Sequence, residues 1–128
     1  MRPLRYRWLW LVLGMLLLVV GVFAALAPMP ARSLLEVNDK VVHATVFLCF
    51  MVWFSAFFRP RLWPLLFLAL VGYGILIELL QGLTVARMAD PKDVVADTVG
   101  LVLGWLLAAA GLSRWCEVVE SWLVRRRA

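Results

Sequence analysis

Uncharged, apolar runs about as long as a lipid bilayer is thick constrain this chain more than any other feature. Trp8 to Ala27 carries no charged residue over twenty positions. At about 1.5 Å of rise per helical residue, such a run spans roughly 30 Å, one hydrocarbon core. Similar runs follow inside 39–58, 62–83 and 92–112. With 65% hydrophobic residues and a mean hydropathy of +0.94, the 128-residue chain has more apolar surface than a soluble domain of its size could hide. The expected fold is all-α: an integral membrane four-helix bundle over residues 1–112, followed by a short C-terminal amphipathic helix in a basic tail, 113–128. Ala25-Leu26-Ala27 resembles a signal-peptide cleavage site, but the apolar run is longer than a signal core and is read as a retained helix.

The punctuation between runs agrees. Pro28 and Pro30 open a loop. Asn38 and Asp39 are candidate caps for the second helix. Arg59-Pro60-Arg61 is a tight basic turn, and Asp90-Pro91 reads as a cap followed by proline at the first helical position. Gly100 and Gly104 form a small-residue stripe suited to close helix approach in lipid, with Gly111 on the same phase. In the tail, Trp115, Val118, Val119, Trp122 and Leu123 share one helical face, opposite Arg114, Glu117, Glu120 and Ser121, which predicts an interfacial helix. Trp8, Trp10, Trp63, Trp105, Trp115 and Trp122 read as belt residues, and Trp53 as packing.

The net charge of +5 does not indicate a nucleic-acid partner, because the basic residues gather at segment ends and no such binding motif occurs. Arg2, Arg5, Arg7, Arg59, Arg61, Arg114 and Arg125 to Arg127 fall on one side; Arg32, Lys40, Arg87 and Lys92 fall on the other. The positive-inside rule then puts both termini of a multi-pass membrane protein in the cytoplasm. Cys49 and Cys116 lie too far apart in pattern for a disulfide framework or a cysteine metal motif.

Against this apolar background, Glu78, Asp90, Asp93 and Asp97 place half of the chain's eight acids within twenty residues. Asp39 and His43 are four apart on one helix face, and Glu78 and Gln81 three apart on another. Counted from their helix ends, His43, Glu78 and Asp97 lie at one depth, roughly 5–8 Å below the outer boundary. Ionisable groups within membrane segments are costly and are functional candidates.

Asp39-Lys40-x-x-His43, Glu78-x-x-Gln81, Arg87, Asp90, Asp93, Asp97, Gly100 and Gly104 together resemble the VanZ-like family of small bacterial membrane proteins. Members commonly carry Asn where this chain has Asp97. The resemblance implies an association with low-level resistance to teicoplanin, a lipid-tailed glycopeptide, and no settled biochemical activity.

Several readings of the polar layer stand side by side. In an enzyme acting on an envelope lipid or glycolipid, the catalytic candidates are His43, Glu78 and Asp97, with Asp39 or Glu78 orienting the histidine and Lys40 or Arg87 holding an anionic head group. No nucleophile motif surrounds Thr45, Thr84 or Thr98. In a binding protein, Asp39, Lys40, Gln81, Arg87, Asp90 and Asp93 recognise an envelope lipid or lipid-linked precursor. A divalent metal is the one cofactor the histidine and acids suggest. A proton-coupled transporter would need a homo-oligomer to enclose a path. The structural alternative treats each polar group as interhelical hydrogen bonding, Asp39 as a cap and Lys40 as an interface anchor.

Overall fold

A computed structural model describes residues 4–27, 36–85 and 88–125, the side chains of 36–38 excepted. All regular structure among them is helical. The elements are α1 (Arg7–Leu26), α2 (Glu36–Ser55), α3 (Trp63–Gly82), α4 (Pro91–Ala109) and α5 (Trp115–Arg125), with 3-10 turns at Pro60–Leu62 and Leu112–Arg114. Arg7–Leu26 and Pro60–Gly82 are long and apolar enough to cross a membrane; α4 and α5, bent by 73°, add a third span if taken together. α2 falls below that standard because its first turns carry Asp39, Lys40 and His43. Helices of this composition suggest a membrane-embedded protein.

The α2–α4 pair is the centre of the fold. Its closeness comes from Gly100 and Gly104. A Cβ at Gly100 would collide with the Ala44 carbonyl, and one at Gly104 would lie 2.7 Å from the Leu48 carbonyl oxygen. Helix backbones can approach this closely only where side chains are absent. Met51 and Leu101 fill the adjoining space and are fully buried. α3 packs on both members of the pair, and α1 lies along α2 and α3. Gly14 admits the Trp53 and Phe54 rings and Gly21 the Tyr73 hydroxyl, while most of the remaining α1 surface is exposed.

Two expectations at helix ends are corrected. α2 begins at Glu36, so Asp39 lies inside the helix and does not cap it. An acid is favourable throughout a helix's first turn, which blurs a boundary inferred from acid position. Gly111 does not continue the α4 stripe: at φ +116° it lies in the left-handed region, beyond Ala109, and turns the chain into α5. Asp90 caps α4 through Lys92 N, with Pro91 in its first turn.

One end of the bundle is aromatic. Trp10, Trp53 and Trp115 pack mutually, with centroids 4.7 to 6.2 Å apart, and Trp105 meets Trp63 and Phe67. Trp63 is buried, whereas Trp8 and Trp122 stay exposed. The belt reading therefore fits Trp8 and Trp122, and the others are anchored by ring-on-ring packing.

The tail reading also changes in part. Val118 and Trp122 face outward as an interfacial helix requires, but Glu120 does not join the solvated face. Only 8% exposed, its carboxylate accepts from Arg5 N at 2.8 Å, Tyr6 N at 2.9 Å and Trp10 Nε1 at 3.0 Å. These two amides lie just ahead of α1, outside its own hydrogen-bond ladder, and Glu120 satisfies a need the tail sequence does not display.

Candidate functional site

The opposite end is polar, and side chains from α2, α3 and α4 meet there. Position i to i+4 on α4 aims Asp93 and Asp97 at α2, where Lys40 and His43 stand three apart. Lys40 Nζ donates to Asp90 Oδ2 at 3.1 Å and Asp93 Oδ1 at 2.9 Å. One turn deeper, His43 Nδ1 lies 2.9 Å from Asp97 Oδ1, and Nε2 lies 3.9 Å from Asp93 Oδ2. Asp97 is 2% exposed. It fits because Gly74 on α3 has no side chain: a Cβ there would lie 2.8 Å from Asp97 Oδ2. The two α4 acids are thus held at two depths by one lysine and one histidine.

Glu78 ties α3 to the same layer, its Oε1 accepting from Asp90 N. Asp90 therefore carries three connections: cap, partner of Lys40 and backbone donor to Glu78. The Lys92 amide, followed by the Lys40 ammonium, holds the Asp90 carboxyl below the usual carboxylate range.

Gln81 is brought close but differently engaged. It is 2% exposed, and its Nε2 donates to Ala25 O at 2.9 Å. That carbonyl belongs to the last turn of α1, which has no helical donor of its own. In this geometry Gln81 holds α1 to α3. Gly100 and Gly104 set the α2–α4 spacing on which the layer depends. Arg87 lies outside the described residues.

A cavity of about 160 Å³ adjoins the layer, bounded by α1, α2 and α3. Asp39 and His43 are among its walls. From them it runs past Val42 and Val46 to Phe50, facing Gly21, Ala24 and Ala25 on α1 and Tyr73 and Ile77 on α3. Eleven positions along α2, from Asp39 to Phe50, correspond to about 16 Å. The cavity is therefore polar at one end and apolar for the rest of its length.

Tyr73 and the α1 residues are the part sequence reasoning missed. Tyr73 OH donates to Leu18 O at 2.6 Å, tethering α1 at the cavity wall. A hydroxyl in the middle of an apolar helix was the available signal, since a buried tyrosine oxygen needs a partner. Nothing in the nearly uniform α1 run marks Gly21, Ala24 or Ala25.

Three groups have the proximity of metal ligands: one ligand atom each from Asp39, His43 and Asp93 lies within 4.8 Å of the others. The layer can therefore do three kinds of chemistry: pair with a charged head group, accept a proton at imidazole, or coordinate a cation.

No curated protein and no solved structure gives a significant match to this chain. The VanZ/LLP1 family model matches residues 7–113, which include every helix around the polar layer, and the chain belongs to that family.

Proposed function

We propose that this chain is a multi-pass protein of the bacterial cytoplasmic membrane that binds an envelope lipid or glycolipid head group in its polar layer. Membership of the VanZ/LLP1 family is consistent with a membrane protein linked to resistance, and the proposed link is to glycopeptides such as teicoplanin. In this reading α1 to α4 form a four-helix membrane bundle, α5 lies at the inner interface, and both termini are cytoplasmic. The excess of Arg5, Arg7, Arg59, Arg61, Arg114 and Arg125 at the aromatic end supports that orientation. The polar layer then faces outward, toward lipid-linked envelope precursors.

The observation that carries the proposal is the cavity's gradient. An amphiphile needs polar contacts at one end and an apolar slot beyond, and the groove from Asp39 and His43 to Phe50 offers that order. The test is native mass spectrometry of protein extracted from its host membrane. We expect a co-purifying amphiphile that is lost from Val46→Trp, which fills the groove, and kept by Val118→Trp on the exposed face of α5. Equal retention by both variants, or no bound amphiphile in the wild type, overturns the proposal.

The His43–Asp97 pair supports a second reading, modification of the bound head group. With Nδ1 donating to the carboxylate, Nε2 remains as a proton acceptor. Turnover that disappears in His43→Gln while the amphiphile is still retained would select this reading; no turnover of the retained amphiphile by the wild type would exclude it.

A further inference from the structure

We propose that Asp39, His43 and Asp93 hold a divalent transition-metal ion at the polar end of the α2–α4 pair. Two of these residues stand one turn apart on α2, and the third reaches them from α4. Their ligand atoms lie within 4.8 Å of one another, a separation a single ion can close with small side-chain rotations.

The surrounding contacts leave the right atoms for coordination. Asp97 occupies His43 Nδ1, so a neutral imidazole turns Nε2 toward Asp93 Oδ2, 3.9 Å away. Metal-bound histidines commonly donate their other ring N–H to a carboxylate, which fixes the ring and makes it a better ligand. Asp97 is placed for that task, held by the gap at Gly74. Lys40 occupies Asp93 Oδ1 and leaves Oδ2 on the histidine side. One imidazole nitrogen and two carboxylate oxygens suit zinc, manganese or cobalt, and soft-metal selection by thiolate is absent from this set.

The cavity supplies an independent indication. Asp39 and His43 both line it, so the ion has a coordination side open to a bound molecule as well as a protein side. A closed, purely structural knot of hydrogen bonds would not need that opening. A catalytic or ligand-binding metal site keeps a position free.

The site is independent of the lipid proposal and is tested without lipid. Full-length protein in detergent, stripped with chelator, is titrated with Co2+ while visible absorption and bound metal are recorded. The expected result is one ion per chain with a spectrum of nitrogen and oxygen ligands and no thiolate charge-transfer band. Asp93→Asn and His43→Gln are expected to weaken binding by at least about 100-fold. Asp97→Ala, which touches no ligand atom of the ion, is expected to weaken it by about 10- to 100-fold. Glu117→Gln, remote from the site, should bind as the wild type does. Sub-stoichiometric binding by folded wild-type protein, a thiolate band, or His43→Gln binding as tightly as wild type would each overturn the proposal. The wild-type titration decides the matter even where a variant fails to fold.

Discussion

At the scale of single residues, acids with similar sequence surroundings have different tasks. Asp90 is at the surface and serves as cap and counter-ion. Because its folded pKa lies below the unfolded one, its contribution is complete above the ordinary aspartate range and is lost as pH falls through the folded value. Asp90→Asn keeps a good capping side chain but loses the Lys40 ion pair. The drop in melting temperature on acidification should therefore be smaller in Asp90→Asn than in wild type, as followed by circular dichroism in detergent. Glu120 differs in being enclosed. Replacing it by Ala strands Trp10 Nε1 and two backbone amides, and should cost about 1–3 kcal/mol in a reversible unfolding titration. Glu120 was not legible as an inward residue, because helical-face arithmetic treats every acid in a short tail as solvated. Spacing made the polar layer accessible to reasoning but not its pairings: Asp39 or Glu78 was expected to orient His43, and it is Asp97, reaching across from α4, that bonds the ring.

Among the elements, the α2–α4 contact is the least tolerant of added volume. Gly100→Ala pushes a methyl into a backbone carbonyl, which cannot rotate away as a side chain can. It is expected to separate the helices and disrupt the His43–Asp97 pair, read as a loss of thermal stability and of a short-range spin-label distance between α2 and α4. Gly72 is the internal contrast: nothing lies within 4 Å of its would-be Cβ, so Gly72→Ala should leave stability unchanged or raise it by up to about 1 kcal/mol. The glycine stripe and its phase with the acids were visible in the sequence. The placement of α1 against α3 was not, since Gln81 and Tyr73 on α3 both bond to its main-chain carbonyls. Any residue type presents such a carbonyl, so no side-chain pattern on α1 announces the contact.

For the molecule as a whole, the testable property is sidedness. With Cys49 and Cys116 replaced by Ala, a single cysteine introduced at Val85, between α3 and α4, is expected to react with a membrane-impermeant thiol reagent in intact cells. A cysteine at Val118 on α5 should react only after permeabilisation. The reverse pattern would turn the polar layer toward the cytoplasm and remove the envelope reading. The all-helical character followed directly from the apolar runs. The break at Gly111 was harder to foresee, because a glycine in phase with Gly100 and Gly104 serves equally as stripe or as corner, and only the backbone angle separates the two.

The clasp that Glu120 makes on the opening turn of α1 has a bearing on biogenesis. Arg5 precedes its carboxylate partner by 115 residues, so α1 is made well before the group that clasps it. Until then the two amides just ahead of α1 depend on water or lipid head groups. Final docking of α1 is thereby coupled to the synthesis of α5, and a nascent chain arrested before that glutamate would hold α1 without its clasp.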